Sequence, residues 1–282
     1  MDFRGTHFLP FTALARHGAA GEPPVFTGRS RRAIIVGYQN KALDAKFNFV
    51  VNTFVPVGAN RAEMTFGDIK PNEDFVNSQI QLLTSGGATA NVTVDGLGTK
   101  RARFIYWTED DGPEDGEGWY LDSDDDAEYN QNSRVIPFGD GYLVDRSTGE
   151  PNAALVFAGE VQDSPVTKEL QPKFNFLGNC CPRDITFGDV TPNEDFVNSQ
   201  IQLLTSGGAT ANVTVDGLGT KRARFIYWTE DDGAEDGAGW YLDSDDDAEY
   251  NQNSRVISAG SGFLVDRSTG EPNATITLPK AL

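Results

Sequence analysis

Histidine and cysteine are scarce in this chain, with two of each among 282 residues. His7 and His17 both precede the repeated part of the sequence. That removes a Ser-His-Asp triad and a His-rich metal site from the repeats. Cys180 and Cys181 are neighbours. Adjacent Cα atoms lie about 3.8 Å apart, short of the usual disulfide span, so the pair reads as two small buried hydrophobes. They give no guide to redox compartment. No apolar run approaches the roughly 18 residues of a spanning helix, and membrane insertion is not expected. "FLPFTALA" (Phe8 to Ala15) is short, contains Pro10 and follows a single arginine, which falls short of a secretory leader. G-x-G-x-x-G, the P-loop and H-E-x-x-H are all missing. The carboxylates sit in runs, as solvated loops do, and no enzyme is expected.

Positive charge is also in deficit: 23 Lys and Arg face 42 Asp and Glu, for a net charge of −19. Binding phosphates needs clustered cations, so nucleic acid is not an expected partner, nor is an anionic membrane. The balance is uneven. Residues 1–46 are basic, with Arg4, Arg16, Arg29, Arg31, Arg32, Lys41 and Lys46 against three acids, and the remainder is correspondingly more acidic.

What the chain has in abundance is repetition. "SQIQLLTSGGATANVTVDGLGTKRARFIYWTEDDG" begins at Ser78 and again at Ser199. The copies align with an offset of 121 from Thr65/Thr186 to Ala153/Ala274, and fewer than ten positions differ. Half of those differences fall in "PFGDGY" (Pro137 to Tyr142) against "SAGSGF" (Ser258 to Phe263). Upstream, "KFNF" recurs at Lys46 and Lys173, and the first copy carries six extra residues before the alignment locks. Near-identity indicates a recent duplication.

The periodicity is that of strands. "ANVTVDG" alternates, "ARFIYWT" is aromatic and β-branched, and "TSGGAT", "VDGLGT" and "STGEPN" are turn signals. "PNEDFVNSQ" has room for one helical turn. About eight strands per copy predict an all-β chain of two tandem, nearly identical β-sandwich domains of jelly-roll or Ig-like type. A β-prone N-terminal segment precedes them. Residues 1–32 are a leader or a disordered segment, 33–160 the first repeat and 161–282 the second, with the boundary near 159–172.

"FNFLGNCCP" (Phe174 to Pro182), the strand "IQLLT", the later "GWY" and the late "GSGFLV" carry a resemblance. The repeat resembles a family of uncharacterised secreted or surface bacterial proteins, whose tandem β domains open on a G-F-N-L-x-G-N-P-Y-P-like motif. Gly178, Asn179 and Pro182 match it, Cys180 and Cys181 replace its Pro and Tyr, and "FNFVVNTFVP" of the first copy departs further. The resemblance implies an extracellular or cell-surface β-sandwich with no known activity.

Three features are candidates for function. Asp122, Asp124 and Asp126, with Asp243, Asp245 and Asp247, would point to one side of an extended chain. Ala127 and Ser133 stand where an EF-hand needs Gly and Glu, so the expectation is a solvated acidic rim. Any Ca²⁺ would be held no tighter than roughly 10⁻⁴–10⁻³ M, and no other cofactor is expected. Trp107, Trp119, Trp228 and Trp240 would stack on a sugar if exposed. Neighbours on a strand face opposite ways, so one aromatic of each Tyr-Trp pair is expected in the core.

The third feature is "AIIVGYQ" (Ala33 to Gln39), with Ile34, Ile35, Val36 and Tyr38. The chain runs from the first repeat into "EVQDSPVTKEL" but stops after the second at "ITLPKAL". An edge covered on the first repeat would then stay bare on the second, and a bare β edge is an association site. The spare segment could pair within its own repeat, or be donated to the second repeat of a neighbour and build a filament. The expected function is a non-catalytic extracellular structural protein whose partner is itself. The alternative is an adhesive or carbohydrate-binding surface module.

Overall fold

A computed structural model describes residues 36–57, 64–94, 96, 98–108, 116–122, 130–146, 152–215, 217, 219–229, 237–243, 251–268 and 272–281. The described chain is all-β, in small antiparallel sheets punctuated by single 3-10 turns.

The first repeat runs β1 (Val36–Ala42), β2 (Lys46–Val51), β3 (Met64–Thr65), β4 (Ile69–Pro71), β5 (Gln79–Gln81), β6 (Asn91–Val94), β7 (Gly98–Arg101), β8 (Arg103–Trp107), β9 (Gly118–Leu121), β10 (Val135–Ile136), β11 (Gly141–Arg146) and β12 (Ala154–Glu160). The second repeats it as β13 (Val166–Glu169), β14 (Lys173–Gly178), β15 (Ile185–Thr186), β16 (Thr191–Pro192), β17 (Gln200–Gln202), β18 (Asn212–Val215), β19 (Gly219–Arg222), β20 (Arg224–Trp228), β21 (Gly239–Leu242), β22 (Val256–Ile257), β23 (Gly262–Arg267) and β24 (Thr275–Leu278).

In each repeat a five-stranded sheet, β2-β11-β5-β8-β9 or β14-β23-β17-β20-β21, is accompanied by a three-stranded one, β1-β12-β4 or β13-β24-β16. The inward side chains of both sheets belong to one core. Val50, Ile80, Phe104 and Val144 of the larger sheet pack in one cluster with Ile69, Leu155 and Phe157 of the smaller. The alternation read from the sequence is this division of faces: along β11 the pattern is half-buried then buried at every step.

The structure corrects the expected vacancy. β1 pairs along its whole length with β12 of its own repeat, Val36 opposite Glu160 through Ala42 opposite Ala154. The second repeat has its own equivalent: linker-derived β13 pairs with β24, Val166 opposite Leu278. The edge expected to be bare is covered, and of the two uses expected for the N-terminal segment its described part, Val36 onward, shows pairing within its own repeat. Gly37 lets this happen, because a side chain there would run into the ring of Phe54 beneath the strand.

The two repeats meet across a junction built twice over. The Phe47 amide donates to the Ser206 carbonyl and the Phe174 amide to the Ser85 carbonyl, at 2.9 and 3.0 Å. Val50 bridges Ser261, and Leu177 bridges Asp140. Lys41 Nζ donates to the Ala259 carbonyl (3.2 Å) and the Ser261 hydroxyl (2.9 Å). Lys168 Nζ donates to the Phe138 carbonyl at 3.1 Å and pairs with Asp140 at 2.5 Å. Each contact exchanges with its mate when 41–51 is swapped for 168–178 and 85–140 for 206–261. Phe49 and Phe176, mates of one another, stack at 5.9 Å and 7° between planes. Residue i meets j while its copy meets the copy of i, which is the rule of a two-fold axis. A single chain thus holds the arrangement of a homodimer.

Candidate functional site

The aromatic side chains divide by strand position. Trp119 on β9 and Trp240 on β21 are fully buried. Each indole N–H donates to a main-chain carbonyl, of Ile69 or Val190, at 2.9 Å. Phe66, Phe75 and Tyr106 surround Trp119, and Phe187, Phe196 and Tyr227 surround Trp240. Neither tryptophan is exposed for sugar stacking, and the expectation of one core aromatic per pair is corrected here, because Tyr120 and Tyr241 beside them are fully buried as well. Tyr106 and Tyr227 lean inward on the two tryptophans, and Trp107 and Trp228, one residue on, face the other way and stay half-buried. The indole N–H groups of Trp107 and Trp228 have no hydrogen-bond partner among the described residues.

Trp228 lies in the wall of a cleft of about 430 Å³ in the second repeat. Phe196, Val197, Ile226 and Tyr227 supply its apolar surface, and Asn193, Glu194, Asn198, Ser199 and Thr229 its polar groups. The segment from β16 to β17 forms one wall. Its turn is fixed by Asn193, whose side-chain carbonyl accepts the Thr275 amide at 2.8 Å and whose main-chain carbonyl accepts the Phe196 amide. The end of β20 forms the other wall. Alternation along a strand could mark Trp228 from sequence. It could not mark Asn193 and Glu194, which only the fold brings opposite it.

The equivalent corner of the first repeat is tied. Lys70 Nζ donates to the Tyr106 hydroxyl at 3.2 Å and sits 5.6 Å from the ring centre. The hydroxyl in turn donates to Glu117, which also lies 3.9 Å from Lys70. Burial first, then the hydrogen bond and charge of Glu117, hold the Tyr106 hydroxyl well above the ordinary phenol range. In the second repeat Thr191 stands for Lys70 and Ala238 for Glu117. Both partners of the tyrosine hydroxyl have changed together.

The other expected sites are placed as follows. Val36 and Tyr38 are on the outward face of β1, 62% and 67% exposed. Ile34 and Ile35 lie outside the described residues, as do Asp124, Asp126, Asp245 and Asp247. Asp122 and Asp243 are exposed at the ends of β9 and β21. Among the described residues no group of three or more His, Cys, Asp or Glu could hold a metal ion, and no helix is long and apolar enough to cross a membrane. Cys180 and Cys181 are free and buried, and burial pushes the Cys180 thiol up to about 12. No family model, curated protein or solved structure matches this chain.

Proposed function

We propose that the chain is a non-catalytic structural protein of the extracellular space or cell surface, two tandem β-sandwiches that associate with further copies of themselves along the free edge of β1. The observation that carries this reading is that β1 is the edge strand of its sheet and displays Val36 and Tyr38 outward. An edge strand offers a row of main-chain donors and acceptors to another chain. Donating β1 to a neighbour would require opening two formed strand pairs, so the association is addition to an edge rather than exchange. The basic stretch at Arg29, Arg31 and Arg32 precedes this edge, and the body it would approach is strongly acidic, which favours encounter between copies. The resemblance to secreted and surface bacterial β domains supports the location.

The test is light scattering and negative-stain microscopy of the full chain over a wide concentration range, beside a Val36→Lys/Tyr38→Lys variant. Assemblies that grow with concentration in the parent and are absent from the variant are expected. A parent that stays monomeric at high concentration overturns the reading. The second reading, a carbohydrate-binding surface module, is favoured by one observation: the cleft beside Trp228.

A further inference from the structure

Resting on the reading that copies associate along β1, we propose that the partner of β1 is the same strand of a second copy. The two strands pair antiparallel about Gln39 and close a two-fold dimer, not an open chain. Main-chain order fixes which groups face the free side. The Leu43 amide donates to the Ala153 carbonyl at 2.9 Å, in register with the β1–β12 ladder. Bonded pairs alternate along an antiparallel ladder, so Gly37, Gln39 and Lys41 turn their main-chain groups to β12. Glu160, opposite Val36, fits this parity: it exchanges both its main-chain bonds with Val55, at 3.0 and 2.7 Å, away from β1. Val36, Tyr38, Asn40 and Ala42 therefore aim their amides and carbonyls at the free side, where no strand lies among the described residues.

The other edges of the three- and five-stranded sheets are guarded. Beside β12, the outer side of β4 has the Ile69 amide bonded to Phe66 and its carbonyl to the Trp119 indole, and Pro71 has no amide to give. Val190 and Pro192 repeat this at β16. On β9 and β21, the main chains of Trp119 and Trp240 are bonded to the loops that follow. The junction between repeats takes the edges of β2 and β14. The free side of β13 has two residues, Thr167 and the charged Glu169. Proline, charge and cover are the ordinary protections of a sheet edge. β1 lacks all three over seven residues, and its exposed side chains are uncharged.

A second copy fits such an edge. With a net charge of −19, copies repel one another over most of their surface, and a neutral edge is where they can meet. The free groups are also their own complement. When one strand is reversed about Gln39, Val36 falls opposite Ala42 of the second copy and Tyr38 opposite its Asn40. Every free group then meets another, in about eight main-chain hydrogen bonds. The two Tyr38 rings, each 67% exposed in the single chain, come to lie diagonally within reach of one another. Antiparallel order also sets the basic residues that precede β1 at opposite ends of the contact, where parallel order would set them side by side. The merged sheet ends on β4 at both sides, and both of those edges are guarded.

Sedimentation equilibrium of the full chain tests this, and the parent mass should rise with concentration and level off at that of two chains. Asn40→Pro removes one outward amide and gives β1 the guard that β4 and β16 carry. It should weaken the dimer at least tenfold with the circular dichroism of the parent. Val36→Cys/Ala42→Cys should oxidise to a covalent dimer, because the two positions face one another at about 5.5 Å between Cα atoms. Each single cysteine should stay uncrosslinked, since its copies lie about 20 Å apart. The parent mass and the cysteine pair decide the matter even if Asn40→Pro does not fold. A mass that climbs past two chains without levelling overturns the dimer but leaves association along β1 standing, with β1 laid on β13 of a neighbour. A dimer in which single cysteines crosslink as readily as the pair overturns the antiparallel register. A parent that stays monomeric overturns both this proposal and the reading beneath it.

Discussion

The two repeats are two answers to one sequence, and they differ where they touch something other than themselves. Between Thr65/Thr186 and Ala153/Ala274 the described differences are Ile69/Val190, Lys70/Thr191, Glu117/Ala238, Pro137/Ser258, Phe138/Ala259, Asp140/Ser261 and Tyr142/Phe263. Lys70 and Glu117 meet at the tyrosine beside the cleft position. Pro137 to Tyr142 and Ser258 to Phe263 lie at the junction, where Phe138 packs against the core of the second repeat. The junction is two-fold in its main chain and lopsided in its side chains. Lys168 meets a carboxylate at Asp140, while its mate Lys41 donates, among the described residues, to a hydroxyl and a carbonyl. Burial lowers the pKa of Lys41 against the opposing pull of Asp44 and Asp184. Duplication supplied a symmetric pair, and the later changes made its halves unequal without altering the strands beneath.

The largest expected effect is one in which the repeats should agree. Trp119→Ala and Trp240→Ala each empty the centre of a matched aromatic cage. Loss of a buried Trp side chain costs about 3–5 kcal/mol. Urea unfolding monitored by circular dichroism should show similar losses for the two. A loss at Trp119 well below that at Trp240 would mean that the Lys70–Tyr106–Glu117 tie holds the first cage together unaided.

A smaller effect should separate the halves. Gly178 of the second repeat takes the place of Val51 in the first. A methyl group there would sit 2.5 Å from the Ser261 carbonyl oxygen, 2.8 Å from Gly262 Cα and 2.8 Å from a methyl of Val51 itself. Two of those neighbours are backbone and cannot turn aside. Overpacking of this kind costs about 1–3 kcal/mol. In Gly178→Ala, amide hydrogen exchange should quicken at Phe47 and Phe174, which donate across the junction, more than at Trp119 inside its own cage. Equal acceleration at all three amides would show that the substitution loosens the whole fold and not the contact between repeats.

Much of this was readable in the letters, and the rest was not for a definite reason. Alternation and turn residues disclosed the strands. The repeat also told which strands are copies of one another, β2 with β14 through β12 with β24. Strand alternation also foretold that Tyr106 and Trp107 part company. The pairing of the repeats was hidden because Phe47 and Phe49 alternate with polar Asn48 like any half-buried strand. Nothing local says that their partner is a second copy. The available signal was the clustering of differences at Pro137–Tyr142, which duplication alone leaves unexplained. The cover on the second repeat was missed because "VTKE" is a short, polar strand whose partner lies a hundred residues away. Lys70 and Glu117 were invisible for a similar reason. Each looks like a solvated charge until β8 brings Tyr106 between them.

The smallest effect at neutral pH has the clearest pH signature, and it again sets one repeat against the other. Tyr142 is fully buried, and its hydroxyl donates to the side-chain carbonyl of Asn52 at 3.0 Å. The second repeat has Phe263 there, and Asn179, the mate of Asn52, turns its amide to the carbonyls of Arg183 and Ile257 instead. Tyr142→Phe therefore makes the first repeat like the second but leaves Asn52 without its donor, at a cost of about 1–2 kcal/mol. Burial raises the pKa of Tyr142 well above the ordinary value. The folded chain then keeps a proton that the unfolded chain releases above about pH 10. Fewer protons on the unfolded state means that stability falls as pH rises, by up to about 1.4 kcal/mol per unit for one such group, between the unfolded and the folded pKa. Below pH 10 this contribution is intact. Tyr106 is shifted the same way and adds to the slope in both proteins. Urea unfolding at successive pH values should place Tyr142→Phe below the parent at pH 8, with the gap closing steadily above pH 10 and reversing near pH 11. Parallel curves across that range would mean that the hydroxyl ionises as freely folded as unfolded, and that the Tyr142–Asn52 bond is not sealed from solvent.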